Sequence, residues 1–149
     1  MMATEGVVRA LRAAHLHDAS RQALLQMACD RIRSWGSPYT SVYAYMLHDG
    51  ELVLEAHAGR DTEHVRIPVG AGVCGTAVAE KADQNVPDVT AVGNYLACNA
   101  FTKSELVVLI RRGDHILGQI DIDSDVRDGF GEREHADVKT VADALAVLL

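Results

Sequence analysis

The sequence has few cysteines, and none of them are paired as CxxC. The three are Cys29, Cys74 and Cys98. An odd count without this spacing argues against a disulfide framework and against a structural zinc site. We therefore expect reduced thiols. The seven histidines are scattered without metal-ligand spacing, so the sequence predicts no metal site.

Basic and aromatic side chains are also scarce. The formal net charge is −7, and aromatic residues make up only 5% of the chain. Binding to nucleic acid requires clustered Lys and Arg for the phosphates, and binding to single strands usually adds aromatic platforms for the bases. We therefore expect no nucleic-acid partner.

Long apolar runs are missing as well. No segment reaches the roughly 20 apolar residues that a membrane-spanning helix needs. The first residues, MMATEGVVRALRAAH, contain neither an uninterrupted apolar core nor a cleavage-site pattern. From these absences we expect a cytoplasmic protein with no membrane partner.

The residues that are present predict one α+β domain spanning 1–149. The chain is 48% hydrophobic, which is an ordinary globular composition. Its apolar spacing changes between the helical and the strand period along the chain. The predicted elements are two helices in 5–34 broken at 17–20, a hairpin over 41–59, an edge strand in 64–70, a helix at 73–82, a strand in 84–89, a hairpin over 105–124 and a helix at 132–149.

Two short motifs resemble ligand-binding signatures without the context that those signatures need. GAGVCG at 70–75 has the glycine spacing of a dinucleotide loop, but the neighbouring strands look like hairpins and not like a βαβ unit. We interpret it as a tight turn that lets a short helix pack closely. DIDSDVRDGFGE at 121–132 has the acids of a calcium loop, but Val126 stands where that loop needs glycine. We interpret it as a solvated turn.

Three carboxylates are predicted to share one face of the second hairpin. Asp121 and Asp123 are two residues apart in a strand, so they point the same way. If residues 112–114 form a three-residue loop, Glu105 lies opposite Asp121, whereas a two-residue loop would break this register. The opposite, core face would then hold Leu106, Val108, Ile110, Ile116, Ile120 and Ile122. Clustered carboxylates require a cation or a shared proton, unless they simply form a solvated strand end. An ammonium ligand would supply that cation, and a carboxyl with a raised pKa could act as a general acid.

The three thiols lie in different predicted environments. Cys98 lies in a polar loop, which favours reactivity. Cys74 falls in the first turn of a short helix, where the helix dipole lowers a thiol pKa; alternatively it is a small buried hydrophobe. Cys29 lies on an apolar helical stripe and is predicted to be core. Tyr43 and Tyr45 alternate in a strand, where they either pack or line a pocket.

Together these segments resemble the GAF domain family, and within it the free methionine-(R)-sulfoxide reductases. The resemblance is carried by RIPVGAGVCGTAVA (66–79), VPDV (86–89), YLAC (95–98), SELVV (104–108) and GQIDIDSD (118–125). It implies a six-stranded antiparallel sheet with the N- and C-terminal helices packed on one face and a ligand pocket on the other. It also implies a homodimer.

The resemblance further implies a reaction without a cofactor. Cys98 would attack the sulfoxide sulfur as a thiolate, and an acid among Glu105, Asp121 and Asp123 would protonate the departing oxygen. These carboxylates, with Tyr43 and Tyr45 in the first strand, would bind the substrate. Cys98 would become a sulfenic acid. Cys74 or an external thiol would condense with it, and a thioredoxin-type reductant would reduce the disulfide.

The chain departs from the reductase pattern at three places. His64 stands where family members have the resolving cysteine, the tryptophan of the first strand is missing, and Leu109 replaces a proline. The alternative is therefore a non-catalytic GAF module that binds another small ligand or senses redox state. The retained Cys98 and its three carboxylates favour the enzyme.

Overall fold

The computed structural model describes residues 2–93, 95–96 and 100–149, and it confirms the predicted α+β architecture. Six antiparallel strands form one sheet, in the order β3-β2-β1-β6-β5-β4. The helices are α1 (Met2–Leu16), α2 (Arg21–Arg33), α3 (Gly72–Glu80) and α4 (Glu132–Leu148). The strands are β1 (Ser41–His48), β2 (Glu51–Ala58), β3 (Arg66–Pro68), β4 (Gln84–Val86), β5 (Ser104–Arg112) and β6 (His115–Ser124).

Local chemistry accounts for several of these boundaries. The Ser20 hydroxyl accepts a hydrogen bond from the Ala23 N–H at 3.1 Å and caps α2, as the break at 17–20 predicted. Gly50, with φ of +81°, closes the first hairpin. Pro68 lies in β3 at the edge of the sheet, where the lack of an N–H donor is tolerated.

The sheet separates two apolar clusters. On the helical face, α1, α2 and α4 pack against alternate strand residues, including the fully buried Leu106, Val108 and Ile110 of β5. The opposite face carries Val107 and Leu109 with the two strand tyrosines and residues of α3. Because neighbouring residues of a strand point to opposite faces, β5 contributes to both clusters.

The second hairpin has a different register from the predicted one. Its loop has two residues, Gly113 and Asp114, because Arg112 pairs with His115. A bulge after Ile110 then shifts the pairing by one, so that Glu105 lies opposite Asp123. The three acids still share one face, but the prediction that Asp121 lies opposite Glu105 is wrong.

The same bulge moves one predicted core residue to the other face. Ile116 packs in the cluster with Val107 and Leu109, and not with the helices, where the alternation had placed it. Leu117 packs against the helical cluster instead. A bulge adds one residue to one strand, so the alternation of side chains reverses beyond it.

The glycine motif at 70–75 is a tight turn leading into a short helix. β3 and β4, which flank α3, lie at opposite edges of the sheet, so no parallel βαβ unit is formed. Gly70 and Gly72 have φ values of +94° and +65°, which disfavour other residues. A Cβ on Gly75 would lie 2.5 Å from the Pro68 carbonyl oxygen. The glycines therefore serve close backbone packing.

Gly75→Ala is expected to lower the free energy of unfolding by about 1–3 kcal/mol, because the Cβ must displace backbone and not a flexible side chain. Chemical denaturation measures the change. Gly6→Ala in α1 is the matched control, since nothing lies within 4 Å of its Cβ. That control should stabilise the protein slightly; equal effects of the two substitutions would contradict the packing argument.

The calcium-like segment is the end of β6 and the turn after it. Asp121 and Asp123 are buried within the strand, and Asp125 forms an ion pair with Arg60 at 2.6 Å. No helix in the described part of the chain is long and apolar enough to cross a membrane.

Candidate functional site

A small cavity lies between α3 and the face of the sheet that carries Val107 and Leu109, which we call the pocket side. Its volume is about 10 Å³, which is about the space of one water molecule. Its described lining consists of Tyr45, His64, Ile67, Gly72, Val73, Cys74, Leu96, Glu105 and Asp121. Larger grooves lie on the helical side. One of about 410 Å³ beside α2 has a single acid, Asp30, in its described lining, and that acid is exposed.

Three buried side chains from three elements converge at this cavity. Cys74 comes from the first turn of α3, Glu105 from the start of β5, and Asp121 from β6. They are 5%, 4% and 2% exposed, and their ligand atoms all lie within 4.8 Å of one another. The Cys74 thiol donates a hydrogen bond to Glu105 Oε2 at 3.8 Å. Asp123, also buried, lies directly opposite Glu105 across the strand pair.

Burial raises the pKa of Asp121 above its usual range, and hydrogen bonds to Glu105 and Cys74 oppose this effect only in part. Asp121 Oδ1 has no hydrogen-bond partner among the described residues. A buried carboxylate oxygen without a partner is costly in free energy. The site therefore favours a proton or a cation at this position.

The Cys74 thiol is protonated at neutral pH. Burial raises its pKa well above the usual value, and the nearby Asp121 and Glu105 raise it further. Of the two alternatives that the sequence left open for Cys74, its burial and raised pKa favour the small buried hydrophobe over a thiol activated by the dipole of α3. That helix has only nine residues, and its partial charge is outweighed by desolvation and by two acids.

The two strand tyrosines hold the segment that follows β2. The Tyr43 hydroxyl donates to the Arg60 carbonyl at 2.7 Å, and the Tyr45 hydroxyl donates to the His64 carbonyl at 2.7 Å. The Arg60 guanidinium forms two hydrogen bonds to the Asp125 carboxylate, at 2.7 and 2.6 Å. These contacts fix residues 59–65, whose His64 lines the cavity. Tyr45 also lines the cavity, whereas Tyr43 lies outside its described lining.

Tyr45→Phe is expected to loosen residues 62–65 by about 0.5–1.5 kcal/mol, because the His64 carbonyl loses one hydrogen bond. Amide hydrogen exchange should show faster exchange in that segment. Tyr39→Phe, on the helical side of the sheet, should leave exchange at 62–65 unchanged. Unchanged exchange in the Tyr45 variant would contradict the anchoring role.

The structure brings together most of the predicted site residues. Glu105, Asp121, Asp123, Cys74 and Tyr45 lie on the pocket side of the sheet or in α3 above it. Cys98, the predicted nucleophile, lies outside the described residues.

Sequence reasoning missed two further groups at the site. The sequence identified His64 only as the residue that replaces a cysteine, and not as part of a site. Its position in the lining depends on the tertiary contacts of the two tyrosines. Gln119 is fully buried and donates from Nε2 to the Cys74 carbonyl at 3.0 Å. Its position two residues before Asp121 on the same strand could have revealed it.

Comparison with known proteins agrees with this fold. The GAF domain profile matches residues 18–149. Protein YtsP of Bacillus subtilis is 41% identical over 97 residues, which are 65% of this chain and 59% of that protein. The free methionine-R-sulfoxide reductase of Escherichia coli is 38% identical over 105 residues, which are 70% of this chain and 63% of that protein. The match thus spans less than two thirds of the length of these curated relatives.

Solved structures give fuller coverage. The type II free methionine-R-sulfoxide reductase of Thermoplasma acidophilum superposes with a TM-score of 0.82 and 38% identity, covering 86% of this chain and 91% of that one. The substrate complex of the Staphylococcus aureus protein named fRMsr superposes with a TM-score of 0.88 and 30% identity, covering 99% of this chain and 94% of that one. The chain therefore belongs to the GAF domain family, and its relatives include proteins named free methionine-R-sulfoxide reductase.

Proposed function

We propose that this protein reduces free methionine-(R)-sulfoxide to methionine with electrons from thiols. The observation that carries the proposal is the buried group of Glu105, Asp121 and Asp123 on the pocket side of a GAF sheet. Similarity to reductases from several organisms supports the same activity.

The three carboxylates would bind the ammonium group of the substrate. Buried acids of like charge destabilise one another, and an ammonium group relieves this repulsion while donating hydrogen bonds. A free amino acid supplies that group, whereas a methionine within a protein chain does not. The cavity of about 10 Å³ is far smaller than such a ligand. Binding therefore requires part of the lining, such as His64 or Leu96, to move away from the acids.

Cys98 would supply the nucleophile, and a protonated acid of the group would supply the proton. The thiolate attacks the sulfoxide sulfur while the acid protonates the sulfoxide oxygen. The oxygen then passes to Cys98, so methionine leaves and Cys98 becomes a sulfenic acid. A second thiol condenses with it, releasing water and forming a disulfide, and a further thiol reduces that disulfide. One sulfoxide and two thiols thus give methionine, water and a disulfide.

An external thiol is expected to recycle Cys98 faster than Cys74 does, because only a thiolate condenses efficiently and Cys74 is held protonated. Protein treated with substrate and no reductant should carry Cys98 as a sulfenic acid, trapped by a dimedone adduct in peptide mass spectrometry. A quantitative disulfide between Cys74 and Cys98 would contradict this expectation. The Cys29→Ser variant is the control for adventitious thiol oxidation.

The test of the function is methionine release from separate R and S sulfoxides in the presence of dithiothreitol. We expect turnover of the R form alone, and its loss in Cys98→Ser but not in Cys29→Ser, since Cys29 is buried in the helical core. Failure of the wild-type protein to release methionine, or equal rates in both variants, would refute the proposal.

The proposal includes a single GAF domain over 1–149, a homodimer, a cytoplasmic setting and a thioredoxin-type reductant.

The second candidate is a non-catalytic GAF module that binds a small ligand or senses redox state. The raised pKa of Cys74 favours a ligand-binding module without turnover, because a protonated thiol would recycle a sulfenic acid slowly. Calorimetry with methionine, methionine sulfoxide and unrelated amines distinguishes the two. Tight binding of a ligand that is never turned over would support the module.

A further inference from the structure

We propose that Cys74, Glu105 and Asp121 form a binding site for a divalent cation of the zinc type. The inference does not depend on reductase activity. It departs from the sequence-based expectation of no metal site, because these three residues are separated along the chain and only the fold brings them together.

The ligand spacing suits a tetrahedral ion after a small adjustment. Zinc binds thiolate at about 2.3 Å and carboxylate oxygen at about 2.0–2.2 Å, so adjacent ligand atoms lie about 3.3–3.6 Å apart. Here the Cys74 Sγ and Glu105 Oε2 are 3.8 Å apart, and all three ligand atoms lie within 4.8 Å. Closing the set around an ion therefore requires the ligand atoms of Glu105 and Asp121 to move toward Cys74.

The hydrogen bonding of Asp121 is a second observation in favour of an ion at this place. Asp121 is 2% exposed, lines the cavity, and has one carboxylate oxygen with no hydrogen-bond partner among the residues described. The cavity holds about one water-sized particle. A single ion matches both the unsatisfied oxygen and the available volume.

The donor set selects the class of cation. Hard ions such as Mg²⁺ and Ca²⁺ prefer oxygen ligands throughout, whereas a thiolate favours zinc and similar ions. Binding would replace the Cys74 proton, which leaves for solvent, and the ion would offset most of the charge of one thiolate and two carboxylates. Three protein ligands leave the fourth coordination position of a tetrahedral ion to another group. Zinc would then compete with a substrate ammonium group for Glu105 and Asp121.

Cobalt(II) is the probe, because a bound thiolate gives a charge-transfer absorption in the near ultraviolet. The titration uses the full chain in a Cys98→Ser background, without reductant and without oxygen, so that Cys98 cannot supply the sulfur. We expect one ion per chain, the charge-transfer band, and displacement by zinc. Cys74→Ser in this background should lose the band, and Cys29→Ser should keep it.

The carboxylate ligands are tested with Cys74 intact. Asp121→Asn and Glu105→Gln should each weaken zinc binding by at least roughly 10-fold, measured by competition with a chromophoric chelator. The two carboxylate variants still test the site if Cys74→Ser does not fold. Circular dichroism shows whether each variant is folded. Absence of the band in the Cys98→Ser protein, its persistence in the Cys74→Ser protein, or unchanged affinity in both carboxylate variants would overturn the inference.

The outcome is separable from that of the reductase proposal. Methionine release is assayed after chelator treatment, and cobalt binding is measured without substrate. A protein that reduces the sulfoxide but fails to bind cobalt through Cys74 disproves only the metal site. A protein that binds cobalt through Cys74 but releases no methionine disproves only the reductase.

Discussion

Asp121→Asn should lower kcat/KM for methionine sulfoxide by about 100-fold. The substitution keeps the shape of the side chain but removes the negative charge that would face the substrate ammonium. Truncating one partner of a buried charge pair costs roughly 2–5 kcal/mol, and each 1.4 kcal/mol corresponds to about a factor of ten. Steady-state assays with the R sulfoxide measure the change. Asp114→Asn, on the exposed turn of the second hairpin, is the matched control and should keep wild-type activity.

Asp121→Asn should raise the free energy of unfolding at neutral pH, although it lowers the activity. The folded-state pKa of Asp121 is raised by burial, so the unfolded chain releases this proton first as the pH rises. The stability that the protonated carboxyl contributes is complete below its unfolded pKa. It is then lost as the pH rises through the folded pKa. An asparagine does not titrate, so this loss should be absent from the variant.

Denaturation of wild type and Asp121→Asn from acidic to neutral pH therefore checks the site without substrate. The difference in free energy of unfolding should grow in favour of the variant as the pH rises. A stability difference that is independent of pH would show that Asp121 is not desolvated as described. Loss of activity together with a gain in stability would identify a group that is retained at a cost to the fold.

The acid group illustrates how much a sequence can predict about a site. The period-two pattern of β6 correctly placed Asp121 and Asp123 on one face, because alternation is a local property of a strand. The face of Glu105 relative to them depended on the loop and on a bulge after Ile110. The loop is one residue shorter than assumed, and the bulge adds one residue to the strand. The two changes cancel at Glu105, which keeps its predicted face, but not at Ile116, which lies between the loop and the bulge. Two local signals in VLIRRGDHILG were not used: Gly113-Asp114 is typical of a two-residue hairpin loop, and Gly118, which pairs with Ile110 at the bulge, is an isolated glycine within a strand.

The properties of Cys74 could not be predicted from its place in the chain. Its position in the first turn of α3 is local and was predicted within about one residue. Its pKa depends instead on burial and on Glu105 and Asp121, which come from distant strands. A local dipole argument therefore gave the wrong direction. The contact of the Tyr45 hydroxyl with the His64 carbonyl is likewise a tertiary feature.

Leu106→Ala should destabilise the fold strongly while leaving the site intact. Leu106 is fully buried in the helical cluster, next in the chain to Glu105 but on the opposite face of β5. Truncating such a leucine costs about 2–5 kcal/mol, because apolar contact is lost and a cavity remains. Leu16→Ala is the matched control, since that leucine is 80% exposed; its effect should stay within about 0.5 kcal/mol. Urea denaturation measures both.

Substitutions at the neighbouring positions 105 and 106 then distinguish an effect on activity from an effect on stability within one strand. Typical domains are stable by only about 5–15 kcal/mol, so the Leu106 variant should be assayed at low temperature, where it stays folded. Its kcat/KM per folded molecule should equal that of wild type, whereas Glu105→Gln should lose activity with a much smaller change in stability. If Leu106→Ala instead lowered kcat/KM as much as Glu105→Gln, the two faces of the sheet would be coupled. The buried acids would then depend on the helical packing for their geometry, and the division of β5 into a structural face and a chemical face would be wrong.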